Sequence, residues 1–476
     1  MKLRYLFVFS LIILATNLST AQDTEEWSLE DCINHAMKHS LQVQQSELAI
    51  QQGMLNKKQA FWSQFPNLNA SLSHGLNLGR SIDMTSYEFV NQTTQSTNVS
   101  LSLGIPIYQG LRIRNTIKQT KIDLSASQKD LEQSKNTVAL SVAQAYLSIL
   151  LAEENLEVLK EQTKVTQAQL EQTQKLIKAG VVADNSRFDL EAQLAREEES
   201  IVNAENGVEL AYVNLKMLMN VDVGQNIVAK RIEVQVPENI ENNELETVYD
   251  EARSSQPNIV AARLREQSAL IGVKIAKGSL QPTVSGYVNV NTNFSSAAKD
   301  ITGYDTTYQS IPLNLGSVTG SLDFPSIRPE RGRVTPFFSQ LGNNLYTNLG
   351  IRVQVPIFNG FQARIGVQRA KLAMKTAELN TQTLETQLKS DVYRALTDVK
   401  AAAKRLKAAE KTIVATRASV KNTQKRYTLG VVNSFELTSV QNSLLASESN
   451  VLQAKYDYLF KLKILDYYRG RPIKID

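Results

Sequence analysis

Apolar residues recur at every seventh position along two long stretches of the chain. Ile117, Leu124, Leu131, Val138, Ala145, Ala152 and Leu159 mark the first, and Val367, Met374, Leu388, Ala395, Ala402 and Ala409 hold the same phase in the second. A strict heptad predicts helices that wind left-handedly around neighbours. No proline interrupts the 68 residues from Leu111 to Lys178, so at about 1.5 Å per residue this helix would be about 100 Å long. Two shorter segments keep the period: Leu194, Ile201, Val208 and Leu215, then Leu437, Leu444, Val451, Tyr458 and Leu465. On the helices alone, the plain reading is a solvated coiled coil.

Four stretches alternate instead. Leu345, Thr347, Leu349, Ile351, Val353, Val355 and Ile357 share one face, opposite Tyr346, Asn348, Gly350, Arg352 and Gln354. Val99, Leu101, Leu103, Ile105 and Ile107 alternate with Ser100, Ser102 and Gly104; Leu68, Ala70, Leu72, Leu76 and Leu78 alternate with Asn69, Ser71, Ser73 and Asn77. A weaker fourth runs from Val284 to Phe294. Each is about ten residues, the span of a tilted strand crossing a bilayer, with one apolar and one polar face. One such strand alone reads as half-buried in a soluble sandwich. Four of them, joined to polar heptad helices, leave no partner for the apolar faces. Because the smallest membrane barrels have about eight strands, several copies must share one barrel.

The pattern is written twice. Pro106, Gly110, Arg114, Gly180, Val181 and Val182 match Pro356, Gly360, Arg364, Gly430, Val431 and Val432 at a constant offset of 250. Phe188, Asp189 and Leu190 match Phe435, Glu436 and Leu437 at 247, while Ala36, Leu48, Ala60 and Pro66 match Ala252, Leu264, Ala276 and Pro282 at 216. The expected first repeat covers 22–220, with a helix at 29–65, strands at 68–78 and 99–107, a long helix at 111–178, a turn at 179–185 and a return helix at 186–219. A linker at 221–244 follows. The second repeat covers 245–470, with helices within 245–280, strands at 284–294 and 345–357, a long helix at 361–428, a turn at 429–433, a return helix at 434–468 and a tail at 471–476. The connections 79–98 and 295–344 read as long polar loops. Pro106 and Pro356 fit exits from strand to helix, since proline cannot donate to a ladder.

The remaining composition narrows the class. Residues 1–21 read as a secretory signal, with Lys2 and Arg4, an apolar run from Leu6 to Leu14, and Ser19, Thr20 and Ala21 before the cut. No later apolar run reaches the roughly 18–20 residues of a membrane-spanning helix. With 52 basic and 47 acidic residues, the near balance argues against a nucleic-acid surface. The single cysteine, Cys32, forms no internal disulfide. Cys32, His35 and His39 share one helical face, but structural zinc is usually four-coordinate and no second cluster follows, which favours a packed helix over a metal site. No phosphate-binding Gly-rich loop, nucleophile elbow or zinc-protease segment is present, so catalytic residues, cofactors and an energy source within the chain are not expected.

This layout resembles the TolC-like outer-membrane efflux protein family, the outer membrane factors. The resemblance rests on the duplication, the junctions GIPIYQG (104–110) and QVPIFNG (354–360), and the two Gly-Val-Val turns, and it covers nearly the whole mature chain. It implies a mainly α fold with a membrane β-barrel part: a homotrimer with four strands per chain in a twelve-stranded barrel in outer-membrane lipid, and long helices forming a periplasmic α-barrel around one duct. It implies a passive exit duct for an efflux or type I secretion system, whose distal turns dock a periplasmic membrane-fusion adaptor belonging to an inner-membrane pump. Gly180 and Gly430 would end their helices in a left-handed conformation. Val181, Val182, Val431 and Val432 would be exposed docking contacts, and Ser186 and Ser434 would cap the return helices. In some members of the family a tyrosine, an arginine and two carboxylates close the tip. Tyr427 and Glu436 match that set, whereas Val432 and Ser439 replace the arginine and the second carboxylate. Asp184, Asp189 and Glu436, tripled by symmetry, could still ring the mouth with negative charge. The competing readings are a periplasmic coiled-coil scaffold and an adaptor protein, neither with a barrel.

Overall fold

A computed structural model describes residues 25–82, 89–91, 93–231, 244–316 and 318–471; the expected signal segment, half of the linker (232–243) and the last five residues lie outside the described residues. In chain order the elements are β1 (Glu25–Trp27), α1 (Leu29–His39), α2 (Leu41–Trp62), β2 (Asn67–Asn77), β3 (Arg80–Ile82), β4 (Phe89–Asn91), β5 (Thr94–Gln109), α3 (Arg112–Lys178) and α4 (Asn185–Met219). Then follow β6 (Ile227–Ala229), α5 (Leu245–Ser255), α6 (Pro257–Gly278), β7 (Thr283–Ser295), β8 (Lys299–Leu315), β9 (Val318–Val334), α7 (Phe337–Asn343), β10 (Tyr346–Gln354), α8 (Gln362–Thr428) and α9 (Ser434–Tyr468). The chain divides into a helical unit (Met1–Leu55, Lys121–Ser268, Lys375–Asp476) and a unit carrying the main sheet (Asn56–Thr120, Ala269–Met374).

The helical unit holds two apolar cores that are copies of each other. Cys32, Ala36, Val43, Val142, Tyr146 and Ile149 are buried in one, and Val248, Ala252, Ile259, Val392, Leu396 and Val399 in the other. The first three pairs lie 216 apart and the last three 250 apart, the same offsets that relate the sequence patterns. What was duplicated is therefore a set of packing positions.

The single helix expected over 29–65 is two helices, because the chain breaks at Ser40. Ser40 is extended (ψ 132°) and its N–H donates to the Ala36 carbonyl at 2.8 Å. Gln256, 216 residues later, is extended (ψ 120°) and donates to Ala252 at the same distance. In the second repeat Pro257 forces the break, since proline disfavours helix in the residue before it. In the first repeat Leu41 stands there and gives no such signal. Ser28 opens α1 with a capping box: its Oγ accepts from the Asp31 N–H, and the Asp31 carboxylate accepts from the Ser28 N–H.

Where the two cores differ, there is a local reason. Tyr146 replaces the leucine of the second repeat because the first core also carries the short parallel pair β1·β6. The Tyr146 hydroxyl donates to the Trp27 carbonyl (3.1 Å) and the Lys230 carbonyl (2.7 Å), fastening both sides of that pair to α3.

In the sheet unit, antiparallel strands run in the order β10-β7-β5-β2. The segments expected as irregular loops are partly strand: β3 pairs β4, and β8 and β9 form a hairpin of 17 residues per strand. Its apolar residues alternate only over short runs, Ile311, Leu313 and Leu315 in β8 and Leu322 and Phe324 in β9, and its Thr, Tyr and Ile content supplies β propensity. Its root is fixed by the buried Gln340, which accepts from the Ser295 N–H (3.0 Å) and donates to the Ser295 (2.9 Å) and Thr335 (2.8 Å) carbonyls.

Replacing Tyr146 with Phe removes one donor from two carbonyls while keeping the ring. It is expected to destabilise the helical unit by about 1–3 kcal/mol, read as a lower midpoint of chemical unfolding, whereas Leu396→Met at the matching position should cost less.

Candidate functional site

The register of the sheet sorts its side chains into two unlike faces. Leu68, Leu103, Val288 and Leu349 stand opposite one another across all four strands, and Ala70, Leu101, Val290 and Thr347 form the next row on that face. The other face carries Asn69, Ser102, Asn289 and Asn348, then Ser71, Ser100, Asn291 and Tyr346. Ser71 and Ser100 hydroxyls lie 2.6 Å apart, so the polar rows bond laterally. Arg352 is on the polar side, its guanidinium 5.4 Å from the Tyr287 ring. Gly350 faces that tyrosine, and a Cβ there would come within 2.7 Å of the hydroxyl, so glycine makes room for the ring. On the apolar face, Leu72 and Leu349 are more than 70% exposed. Burial inside this chain does not explain a wall of that kind.

Aromatic side chains flank the wall at both ends, a feature the sequence reading did not single out. Phe61, Trp62 and Phe65 cluster with ring centroids 4.9–5.9 Å apart immediately before β2, and Phe358 and Phe361 lie 5.8 Å apart after β10. Phe294, Phe337 and Phe338 form a chain of contacts (4.9 and 5.3 Å) at the opposite end. Such girdles sit at membrane interfaces. Their signal was present as FWSQF (61–65), FF (337–338) and FNGF (358–361), directly beside the alternating segments.

The strand-to-helix junctions use two consecutive left-handed residues: Gly110 (φ 61°) with Leu111 (61°), and Gly360 (62°) with Phe361 (62°). That turn reverses the backbone twist between strand and helix at a cost of about 1–2 kcal/mol for each non-glycine residue. The two glycines differ in surroundings. A Cβ on Gly110 would lie 2.2 Å from the Gly278 carbonyl oxygen, whereas Gly360 has open space. Pro106 is not at the exit: it lies inside β5, and Ile107 bulges beyond it. Since β2 ends opposite Gly104, the missing Pro106 N–H faces no strand on that side. Pro356 follows the end of β10.

The distal turns belong to the helical unit. Each closes its long helix with the same double bond pattern: the Gly180 N–H donates to the Ile177 carbonyl (2.9 Å) and Val181 to Leu176 (3.0 Å), and Gly430 donates to Tyr427 (2.9 Å) and Val431 to Arg426 (3.0 Å). Both glycines are left-handed (φ 72° and 73°). Val181 and Val431 are exposed and Val182 is half-buried. Val432, expected to be exposed, is instead buried against Tyr427 and Leu437. The exposed apolar set includes three residues not assigned to docking from sequence: Phe188, Leu429 and Phe435.

The caps also differ from expectation. Asn433 caps α9, accepting from the Glu436 N–H at 2.9 Å, while Asp184 precedes α4 without a side-chain cap. Ser186 and Ser434 are both buried, and the Ser434 hydroxyl reaches Asp189 of the other turn at 2.7 Å. Further bonds join the two hairpins: Thr173 with the buried Tyr427 hydroxyl (3.0 Å), Gln441 with Gln169 (2.6 Å) and Gln193 with Asn442 (3.0 Å). Near the tips, the ion pairs among the described residues stay within a hairpin, as Arg426–Glu436 (3.3 Å) and Arg417–Glu448 (3.0 Å) do. Asp184 lies 3.9 Å from Arg187.

The Cys32, His35 and His39 trio does not converge. Cys32 fills the slot that Val248 fills in the second core, and burial, with the Asp31 charge adding to it, pushes its thiol up to about 12. His35 meets Trp27 edge to face (5.1 Å) and lies tilted against His39 (4.4 Å). Among the described residues, no three His, Cys, Asp or Glu side chains form a metal-sized cluster.

A two-faced sheet with aromatic girdles, joined to long heptad helices, defines an outer-membrane channel fold. The chain belongs to the outer membrane efflux protein family, whose profile matches residues 32–221 and 248–468. The outer membrane protein TolC of Vibrio cholerae is 25% identical over 245 residues, which cover 49% of this chain and 55% of TolC, so the match spans about half the length of that relative. Two solved structures share the fold across nearly the full chain. The transmembrane channel protein CusC superposes with a TM-score of 0.73 at 15% identity, covering 93% of this chain and 92% of its own. The outer membrane protein VceC of Vibrio cholerae superposes at 0.71 and 14%, covering 94% and 97%.

The junction geometry yields a comparison between two like substitutions. Gly110→Ala, which meets a carbonyl as well as an unfavourable φ, should reduce assembled protein in outer membranes severalfold more than Gly360→Ala. Immunoblotting of heat-unmodified samples checks this, and equal effects would remove the steric argument.

Proposed function

We propose that this protein is a passive exit duct of the outer membrane, serving a tripartite efflux or type I secretion system. The observation that carries the reading is the wall: four strands with an exposed apolar face, a Ser, Asn and Arg face, and two unpaired edges. In a bilayer the apolar face meets lipid and the polar face lines water. The edges require strands from other copies, and three copies would give the twelve-stranded barrel of a homotrimer.

The distal turns are the proposed meeting point with a periplasmic adaptor and, through it, an inner-membrane pump. Val181, Phe188, Leu429, Val431 and Phe435 expose apolar surface at loop tips, where polar residues are the norm. The closing network we assign to this tip is Tyr427 with Thr173 and Ser434 with Asp189, because these bonds tie one hairpin to the other. Glu436 is held by Arg426 and Asp189 by Ser434, whereas the Asp184 side chain is 67% exposed. Driving force comes from the pump, since the chain carries no nucleotide-binding motif.

Native mass after extraction from outer membranes in mild detergent tests the shared barrel. Three chains resisting dissociation are expected; one chain, or release without detergent, overturns the reading. At the tip, Val431→Asp and Val181→Asp should leave that mass unchanged and lower cross-linking to the adaptor about tenfold or more. Undiminished cross-linking and export would remove the docking assignment.

A further inference from the structure

The long hairpin β8·β9 has two unlike edges, and its prolines mark the difference. Opposite residues of an antiparallel pair alternate between those that exchange both ladder bonds and those that exchange none. Proline cannot belong to the first kind, because it has no N–H to give. The three prolines of the hairpin fall in the pairs Tyr304↔Pro329, Tyr308↔Pro325 and Pro312↔Ser321, each an even step from the next, so all three are of the second kind. Thr306↔Ile327 and Ser310↔Asp323 are of that kind too. In such pairs the N–H and C=O groups point away from the partner strand, towards the outer edge. On β9 the outward donors at Pro325 and Pro329 are therefore missing, so every second place from Asp323 to Pro329 is blank. On β8 the outward donors of Tyr304, Thr306, Tyr308 and Ser310 form an unbroken row.

Charge follows the same division. β9 carries Asp323, Arg328, Glu330, Arg331 and Arg333, whereas Asp305 is the single charged residue from Ile301 to Leu315. Prolines and charged side chains are the devices that keep foreign strands off an exposed edge. β9 has both, and the stretch 301–311 of β8 has one carboxylate and no proline. Among the described residues no third strand covers either edge. Tyr304 and Tyr308 share a face of the ribbon with Ile327 and are 70% and 69% exposed.

We infer that the outer edge of β8, over residues 304–310, takes up an extended segment of a different protein outside the membrane. This rests on the outer-membrane reading above, which puts the hairpin at the end of the wall opposite the strand-to-helix junctions. Its root lies by Phe294, Phe337 and Phe338, and 17 residues per strand reach at most about 55 Å from there. The incoming segment continues the ladder through the outward N–H and C=O groups of β8. On one face its side chains meet Tyr304 and Tyr308, which suits valine, isoleucine or an aromatic ring; on the other a side chain meets Asp305, which suits lysine or arginine. A second copy of this chain fits poorly. Copies arranged around one axis would set β8 of one against the proline-bearing edge of the next, and pairing β8 with β8 needs a twofold axis.

The probe is a labelled peptide of alternating threonine and valine with a central lysine, blocked at both ends and long enough to span 304–310. Its binding to the purified full chain in detergent is followed by fluorescence polarisation, beside two variants that change opposite members of one pair. Thr306→Pro removes an outward donor from β8 and Ile327→Pro removes one from β9, and neither takes a bond from the ladder. Thr306→Pro is expected to weaken binding about tenfold or more and Ile327→Pro to leave it unchanged. Equal loss in both, or no binding by the parent chain at its three-chain mass, would overturn the edge assignment while leaving the duct standing. A doubled mass in the parent that Thr306→Pro returns to three chains would overturn the foreign occupant in favour of a second assembly. Binding to purified protein but not to intact cells would overturn the placement outside, and a native mass of one chain would overturn the duct reading itself.

Discussion

A strand edge inside hydrocarbon leaves its N–H and C=O groups without water or partner, at several kcal/mol for each group. In this chain β2 and β10 have such edges, and both lie on a sheet whose apolar face has no cover from the same molecule. Much of the architecture follows from that constraint. The polar face is bonded laterally through serine and asparagine, the girdle aromatics bracket the strands, and the chain turns into its long helices at the glycines that begin the left-handed junctions. The helices in turn bury Ala, Val and Tyr in modest cores and keep apolar seams on their outer sides.

The duplication is tightest where packing is tightest. Cys32 and Val248, Ala36 and Ala252, and Val142 and Val392 occupy equivalent, almost solvent-free positions, so each tolerates only small volume changes. Divergence appears where one repeat has an extra duty. Tyr146 gained a hydroxyl to hold β1 and β6, and the second repeat gained the β8·β9 hairpin with Gln340 at its root. The distal turns keep the same helix-ending bonds but differ in capping: Asn433 caps α9, whereas α4 starts after Asp184 with no side-chain cap.

Several features were legible because one short-range rule governs them. Seven-residue spacing marked α3 and α8, alternation marked the four main strands, and a glycine after a long helix marked each left-handed stop. Other features depended on partners distant in sequence. The break at Ser40 has no proline to announce it, and only the second repeat's Pro257 reveals why the chain bends there. Val432 looked like its neighbours in a Gly-Val-Val turn, but its side chain is folded under by Tyr427 and Leu437. Ser434 looked like a cap and proved to be a cross-hairpin donor, because Asn433 one residue earlier already satisfies the helix. The hairpin β8·β9 escaped notice because its alternation is confined to short runs, Ile311 to Leu315 and Leu322 to Phe324, inside a polar segment interrupted by glycine and proline.

The pairing of β5 with β7 also bears on assembly kinetics. Joining two equivalent units in one polypeptide converts every other seam of the wall from a bimolecular encounter into a tethered one, at an effective concentration set by the segment between α4 and α5. A chain half this length, with one unit only, would need twice as many copies to enclose the same space and would depend on dilution at every seam. In the shared barrel proposed above, that tether would leave the two outer edges, on β2 and β10, as the places where encounter frequency limits closure.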